Sequence, residues 1–319
     1  MTLRTLFVMD PLDRINVAGD STYMLMLEAR RRGWPVWFCT PSDLYALHGR
    51  AWGRVRAVEV RGHGEGPAFT PEPVEERCLG DFDVVWMRKD PPFDMDYIFT
   101  TYLLDLVPDK TLVLNRPSSL RGRNEKMFAF ALPQYSPPTL ISKDIARIVA
   151  FVRASDERSV VKPWDGNGGR GVLVTHADDE NLRSMVETLT AEGRQYIIAQ
   201  RYLPAVKQGD KRIILVDGEP RGWMNRVPQK GDHRGNMHAG ALVASTDLTP
   251  REQEICGVLG PILRDEGLLF VGIDVIGDLL TEINVTSPTG IQEINRLMGT
   301  RLEVEITDAV LARVARRAG

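Results

Sequence analysis

The sequence predicts an α/β domain at the N-terminus followed by a region of α+β character. Strand and helix signals alternate in the first third of the chain, whereas strand–turn–strand pairs separated by helices follow from Pro137 onward. The length of 319 residues and an apolar fraction of 43% suit about two or three domains with buried cores. A small module or a disordered tail is therefore excluded.

The first third contains a regular alternation of elements. An apolar strand is predicted over residues 6–9, a helix over 20–32 and a strand over 36–39. Asp20 can cap the helix, and Gly33 can end it. A strand over 84–87, a helix over 94–106 and a strand over 111–114 continue the pattern. This alternation predicts a first domain over residues 1–122.

Turn signals organise the second part of the chain. Strand pairs are expected around 166–171, 217–218 and 277–278, with helices near 143–153, 178–189 and 249–266. Only residues 62–73 and 229–240 resemble long loops. This part of the chain is predicted to be α+β.

Charge, hydropathy and cysteine usage exclude several classes of protein. The chain has 40 Lys and Arg against 43 Asp and Glu and no run of basic residues. This charge pattern does not indicate a basic surface for binding nucleic acid. No stretch approaches the ~18 consecutive apolar residues of a membrane span. Cys39, Cys78 and Cys256 are far apart and odd in number, so neither disulfides nor a zinc site is indicated. We expect a soluble protein of the reducing cytoplasm.

A glycine-rich turn over residues 166–171 matches the letters of the dinucleotide fingerprint, Gly-x-Gly-x-x-Gly. The fingerprint needs a helix after the glycines, but an apolar, β-branched strand follows over 172–175. We therefore expect a hairpin whose tip amides close over phosphates, with Lys162 beside it; a plain flexible hairpin and a solvated lysine are the alternatives. No P-loop or protein-kinase motif is present.

A second hairpin places three oxygen-bearing side chains together. Asp274 lies on the strand over 270–276, and Glu282 and Asn284 share one face of the returning strand over 280–285. This set predicts a magnesium site that bridges nucleotide phosphates. The alternative is a polar face turned to solvent, but the apolar flanks favour a buried hairpin.

Arg212, Arg226 and Arg234 lie on two strands and the following loop. Near a metal and phosphate site, they could hold a transferring phosphoryl group and the oxyanion that follows. Each one alone is more often a surface charge.

The carboxyl ends of two N-terminal strands form a candidate substrate crevice. One strand runs into Asp10, and the other runs into Arg88 and Lys89. Two cations there would suit a substrate with carboxylates. The alternative is that both cations pair with Asp90 and Asp94.

The sequence resembles the prokaryotic glutathione synthetases of the ATP-grasp superfamily over nearly its whole length. The matching blocks lie at 8–11, 87–94, 124–126, 162–169, 209–212, 234–236 and 281–289. The resemblance implies an N-terminal substrate domain (1–122), a central ATP-grasp lid subdomain (123–199) and a C-terminal catalytic subdomain (200–319). ATP would lie between the last two.

The resemblance also implies roles for single residues. ATP would contact Lys126, Lys162, Gly166, Asn167, Gly168, Gly169, Gln200, Arg201, Tyr202, Leu203 and Asp210. The other substrate would contact Asp10, Arg88, Lys89, Asp90, Ser287 and Thr289. Mg²⁺ or Mn²⁺ would be bound by Asp274, Glu282 and Asn284, and Arg212, Arg226 and Arg234 would be catalytic.

The implied reaction joins γ-glutamylcysteine to glycine at the cost of ATP, through an acyl phosphate that the loop over 229–240 would shield from water. In that loop the chain reads Asn236-Met-His-Ala-Gly-Ala241 where some members have Asn-Leu-Ala-Ala-Gly-Gly. Another ATP-grasp carboxylate–amine ligase is the alternative activity, and a nucleotide-binding regulator or a nicotinamide oxidoreductase is disfavoured. The family suggests a homo-oligomer, specifically a tetramer.

Overall fold

The computed structural model describes residues 1–166, 171–229 and 241–318 of the chain. Three β-sheets follow one another along these ranges, of eight, four and five strands. The predicted change from an α/β to an α+β pattern is confirmed, because parallel strand pairs occur only in the first of these sheets.

The first sheet has a parallel centre extended by antiparallel strands. Its order is β3-β4-β2-β1-β7-β8, with β5 and β6 both paired to β4. The strands are β1 (Thr5–Val8), β2 (Val36–Cys39), β3 (Leu44–Leu47), β4 (Arg50–Val60), β5 (Phe69–Pro71), β6 (Glu75–Cys78), β7 (Val84–Met87) and β8 (Leu112–Leu114). The helices of this region are α1 (Ser21–Arg31), α2 (Met95–Leu104) and α3 (Pro117–Gly122). The six predicted elements of the first third are all present.

Helix capping explains where the two long helices of this region begin. The Asp20 carboxylate accepts a hydrogen bond from the amide of Tyr23, and Asp94 does the same for Tyr97. The antiparallel strands β3 to β6 were not predicted. The segment expected to be a loop over 62–73 contains β5, which pairs with the end of β4.

The second sheet is antiparallel and has a core of its own. Its order is β11-β10-β12-β9, and its elements are β9 (Thr139–Ser142), β10 (Ser159–Pro163), β11 (Leu173–Thr175), β12 (Ile197–Arg201), α5 (Ile145–Arg153) and α6 (Leu182–Leu189). A separate apolar cluster, including Ile148, Val161 and Val186, lies between the helices and the sheet. The pairing of β10 with β11 confirms a hairpin around the glycine turn.

The third sheet is a five-stranded antiparallel sheet of order β15-β14-β13-β16-β17. Its strands are β13 (Asp210–Val216), β14 (Glu219–Val227), β15 (Leu242–Ala244), β16 (Phe270–Ile276) and β17 (Leu279–Asn284). The short helix α4 (Glu125–Phe128) contacts β17, and α7 (Pro250–Asp265), α8 (Ile291–Met298) and α9 (Leu302–Ala318) complete the fold.

A buried amide joins the first and third sheets. Asn115, directly after β8, donates to the carbonyls of Phe270 and Val285 and accepts from the amides of Leu269 and Phe270, at 2.8–3.1 Å. Two apolar clusters also extend across both sheets. The carboxyl ends of the parallel strands are therefore held against the end of β17.

No helix in the described ranges has the length and apolar character that crossing a bilayer requires.

Candidate active site

The third sheet contains a buried network of two aspartates and two arginines. Asp210 lies opposite Arg226 in the β13–β14 pair, and Arg212 lies opposite Asp274 in the β13–β16 pair. Arg212 binds Asp274 in a bidentate manner, with N–O distances of 2.6 and 3.0 Å. Arg226 Nη2 lies 2.7 Å from Asp210 Oδ2 and 3.0 Å from Asp274 Oδ1. One cation thus links the two carboxylates.

The two aspartates of this network differ in charge stabilisation. Burial would raise the pKa of Asp274, but Arg212 and Arg226 together hold that pKa well below its usual range. Burial raises the pKa of Asp210 to about 6, because the stabilisation by Arg226 is smaller than the desolvation. The Oδ1 atom of Asp210 has no hydrogen-bond partner among the described residues. Asp210 is therefore the member with unused acceptor capacity.

The predicted metal ligands meet at the β16–β17 hairpin. Asp274 lies opposite Glu282, and the buried Ile283 separates Glu282 from Asn284 on one face of the strand. Asn284 donates its amide N–H to Asp274 Oδ2 at 3.2 Å, which leaves its amide oxygen available. Both oxygens of Asp274 already accept hydrogen bonds from Arg212. The oxygen atoms of Glu282 and Asn284 are consequently better placed than those of Asp274 to bind a metal cation.

This donor set fits a hard cation that keeps several ligands from other sources. Within residues 1–166, 171–229 and 241–318, no group of three or more His, Cys, Asp or Glu side chains could hold a metal ion. Mg²⁺ is usually bound through one or two protein oxygens, with waters and substrate phosphates completing the octahedron. Glu282 and Asn284 meet this requirement.

Two lysines from different parts of the chain approach these acids. Lys126, on α4, donates to the carbonyl of Gly166, and its Nζ lies 3.5 Å from Glu282 Oε1. Lys162, on β10, donates to Gln200 Oε1 at 3.3 Å. Burial lowers the pKa of Lys162, while the negative charge of Glu282 opposes that shift. Lys126 thus contacts the acidic end of the third sheet, and the Lys162 ammonium lies within electrostatic reach of it.

The segment from Gln200 to Leu203 has a mixed orientation. Gln200 lies between Lys162 and Thr139, but the guanidinium of Arg201 donates to the Phe151 carbonyl and to Ser159. Tyr202 is buried beneath the guanidinium of Arg158, 4.0 Å from the ring centroid, and Leu203 is half-buried. The Arg201 side chain is thus occupied by α5 and β10, and a nucleotide contact of this residue would fall to its backbone.

The two cations that follow β7 point in different directions. Lys89 Nζ lies 3.0 Å from Asp10 Oδ1, and the Asp90 amide donates to Asp10 Oδ2 at 2.9 Å. Asp10 and Lys89 line an open groove of about 610 Å³ beside α2, which does not include Arg88. The alternative pairing of both cations with Asp90 and Asp94 is wrong, since Asp94 caps α2 and Lys89 pairs with Asp10.

Arg88 is buried against the third sheet instead. Its guanidinium donates to Thr22 Oγ1 and to the Pro288 carbonyl, both at 3.0 Å, and lies 5.0 Å from the ring centroid of Phe270. It forms no ion pair with a carboxylate of the described residues, and burial lowers its pKa. A buried cation with only neutral acceptors is a natural receptor for an anion.

The segment after β17 brings the remaining predicted substrate residues near Arg88. Ser287 Oγ donates to the Arg88 carbonyl at 3.4 Å, and the Thr289 carbonyl accepts from Arg212 Nη1 at 3.3 Å. Arg88, Ser287 and Thr289 therefore adjoin the charged network, whereas Asp10, Lys89 and Asp90 form a separate cluster. The folded chain divides the predicted substrate residues into two groups.

Two residues of this region were missed by sequence reasoning. Asn115 joins the sheets, and Glu125 accepts hydrogen bonds from the segment after β17. Glu125 lies inside the Asn124-Glu-Lys126 block of the resemblance, which was the available signal. Nothing in the sequence around Asn115 marks its distant partners.

Several predicted site residues lie outside the described residues. They are Asn167, Gly168, Gly169 and Arg234. The proposed lid over 229–240 is described only at Gln229.

Two family models match almost the entire chain. The model "Prokaryotic glutathione synthetase, N-terminal domain" matches residues 3–121, and "Prokaryotic glutathione synthetase, ATP-grasp domain" matches residues 125–299. Glutathione synthetase of Brucella melitensis is 47% identical over 314 residues, which cover 98% of this chain and 100% of the relative. Those of Agrobacterium fabrum and Rhodopseudomonas palustris are 46% and 47% identical, covering 95% and 99% of this chain and 94% and 100% of the relatives.

Solved structures with low sequence identity share the fold. The D-cycloserine synthetase DcsG matches with a TM-score of 0.68 at 16% identity, over 97% of this chain and 99% of the other. The ATP-grasp ligase PsnB, solved with a minimal precursor, Mg and ADP, gives 0.62 at 14% identity over 98% of both chains. The fold is therefore that of the ATP-grasp enzymes.

Proposed function

The chain belongs to the prokaryotic glutathione synthetase family and is an ATP-dependent ligase, and from this premise we propose how its residues divide the work. The reaction joins γ-glutamylcysteine to glycine. The cysteinyl carboxylate takes the γ-phosphoryl group of ATP and ADP leaves; the deprotonated amine of glycine then attacks the acyl phosphate, and phosphate leaves. The observation that carries this proposal is the convergence of Lys126, Lys162 and the Arg212–Arg226 network on Glu282 and Asn284.

ATP would bind between the second and third sheets. Lys126 and Lys162, from α4 and β10, would bind its phosphates together with the hairpin of Gly166, Asn167, Gly168 and Gly169. Gln200 to Leu203 would lie against adenine, and the unused oxygen of Asp210 would accept a ribose hydroxyl. The negative charges of Glu282, Asp210 and Asp274 act on the Lys162 ammonium and oppose the lowering of its pKa by burial, which supports this arrangement.

Glu282 and Asn284 would hold Mg²⁺ or Mn²⁺, with Asp274 beside them. A bound divalent ion supplies charge neutralisation for the transferring phosphoryl group. Among the protein groups, Arg212 and Arg226 would stabilise charge on phosphate and on the tetrahedral intermediate, because their guanidinium groups are already oriented by Asp274. Arg234 would do so from the lid.

The dipeptide would lie at the carboxyl ends of β1 and β7. Arg88 would receive one of its carboxylates, with Ser287 and Thr289 beside it, and Asp10, Lys89 and Asp90 would contact it from the neighbouring cluster. The burial of Arg88 among neutral acceptors supports this assignment.

We also propose a three-domain division at 1–122, 123–199 and 200–319, and a cytoplasmic homo-oligomer, in the form of a tetramer. The three sheets support the division, and three free cysteines suit a reducing compartment. A helical stripe of exposed apolar side chains on and just after α2 supports self-association: Met95 and Phe99 are 58% and 60% exposed, and Tyr102 and Leu106 follow at helical spacing. A second copy of the same stripe would cover it.

The activity is tested by measuring ADP release from ATP with γ-glutamylcysteine, with and without glycine. Glutathione should form only when glycine is present, at one ADP per product. Equal ADP release with unrelated acids and amines, or no glutathione, would contradict the proposed function.

A further inference from the structure

Glu125 links α4 to the chain that follows the metal-site strand. Its Oε1 atom accepts three hydrogen bonds: from the amide of Val285 at 2.9 Å, from the amide of Thr286 at 3.0 Å and from Thr286 Oγ1 at 2.8 Å. Its carboxylate and that of Glu282 carry the same charge and repel each other, so no attraction between these two side chains holds α4 in place. The contact is one of position: a single oxygen holds two successive amides at the exit of β17.

The position of Lys126, the next residue along the chain, depends on this contact of Glu125. Lys126 lies on a helix of only four residues, which begins at the Asn124 cap. Such a short helix has few internal hydrogen bonds, and its position must be set by tertiary contacts. Lys126 Nζ lies 3.5 Å from Glu282 Oε1, and Asn284 directly precedes Val285. Glu125 thus ties the phosphate-binding lysine and the metal-binding strand end to each other.

We propose that Glu125 is a positioning residue that keeps Lys126 in register with Glu282 and Asn284, so that magnesium and the nucleotide phosphates bind together. This inference rests on the proposed roles of those three residues. Glu125 need not touch ATP, metal or dipeptide. Its hydrogen-bond acceptor at the correct reach is the required property, because backbone amides need an oxygen acceptor and not a charge.

Three substitutions separate reach from charge. Glu125→Gln keeps an acceptor oxygen at the same reach but loses the charge, Glu125→Asp keeps the charge but retracts it by one methylene, and Glu125→Ala removes both. The matched control is Glu180→Gln, because Glu180 is exposed and its side chain forms no hydrogen bond or ion pair with the described residues. All four are compared with wild type by thermal unfolding.

The first readout is ADP affinity by calorimetry, with and without Mg²⁺, and the second is the Mg²⁺ concentration for half-maximal glutathione formation. Mg²⁺ increases the affinity for ADP by a certain factor in the wild type. We expect Glu125→Asp and Glu125→Ala to reduce this factor roughly 10-fold or more. Glu125→Gln should reduce the same factor less than about 3-fold. The control should match wild type.

The proposal is decided by which variant, Glu125→Gln or Glu125→Asp, keeps more of the Mg²⁺ effect on ADP affinity. This comparison holds even when the alanine variant does not fold. If the aspartate variant retains the magnesium effect better than glutamine, charge and not reach is required, and the proposal is overturned. Variants that lower the unfolding temperature while leaving the magnesium effect intact would show a purely structural role. A failure of the proposed metal site would look different, since Glu282→Gln would then leave the Mg²⁺ dependence unchanged.

Discussion

Buried charges are compensated in opposite ways in the third sheet and at the end of β7. Arg212 and Arg226 are paired with Asp274 and Asp210 at 2.6–3.0 Å, so that each cation has a carboxylate within the protein. Arg88 is equally buried, but among the described residues its guanidinium donates only to a hydroxyl and a carbonyl. The difference indicates that the third-sheet network is preorganised by the fold, whereas Arg88 gains its full electrostatic stabilisation only from an anionic ligand.

The largest effect is expected from breaking the preorganised network. Asp274→Asn keeps the shape but removes the charge that compensates both arginines, and we expect a loss of about 3 kcal/mol in the free energy of unfolding. Denaturant titration measures it. Glu305→Gln, at an exposed pair with Arg221, is the control and should change little. An equal, small effect of both substitutions would remove the distinction between the network and a surface pair.

The next effect concerns catalysis at the β16–β17 hairpin. Glu282→Gln should lower kcat for glutathione formation roughly 100-fold or more, because it removes a carboxylate charge from the metal and phosphate site. The unfolding temperature should stay near that of wild type, since Glu282 is partly exposed. Near-normal turnover at ordinary Mg²⁺ concentrations would refute the metal assignment.

Arg88 should affect substrate binding more than chemistry. Arg88→Ala is expected to raise the KM for γ-glutamylcysteine about 10-fold while the KM for ATP changes little, because one charge-assisted hydrogen bond to the dipeptide is lost. Lys89→Ala should have a smaller effect, since Lys89 already pairs with Asp10. Equal increases in both Michaelis constants for Arg88→Ala would place this residue outside the dipeptide site.

The last comparison concerns Asp210, the less compensated carboxylate of the network. Asp210 binds its proton more tightly in the folded protein, with a pKa of about 6, than an ordinary aspartate with a pKa near 3.9. As pH rises from about 4 to about 6, the unfolded chain releases this proton first, so the folded state loses stability through this group. Above about pH 7 the penalty is constant, and below about pH 4 it is absent.

The Asp210→Asn variant lacks this titration. We therefore expect wild type to lose about 2 kcal/mol relative to the variant between about pH 4 and pH 6, measured by denaturant unfolding at each pH. The loss of the Arg226 pair in the variant adds an offset that does not change across this window. If the difference in the free energy of unfolding between the two proteins does not change with pH, the pKa of Asp210 is not raised in the folded protein.

The chain's local patterns were sufficient for the strand–helix alternation of the first third, for the three later hairpins and for the helices α5, α6 and α7. Asp20 and Asp94 cap the helices that the sequence predicted, and the Gly277-Asp278 turn brings Asp274 opposite Glu282 as the alternation of the two strands indicated. Strands β3 to β6 escaped prediction, because their pairing depends on an antiparallel extension of the first sheet and not on a strand–helix alternation. Strands β9, β12 and β15 and helices α8 and α9 were not predicted either.

Tertiary structure alone decided which side chains of the site meet. Arg88 and Lys89 are adjacent in sequence, yet they leave the strand end on opposite sides, toward Pro288 and toward Asp10. Glu125 and Asn115 find their partners about 155–170 residues away. Periodicity reports only the face that a residue occupies on its own element, because it arises from backbone geometry within that element. The partner across an interface is set by how the sheets pack, and local sequence does not contain that information.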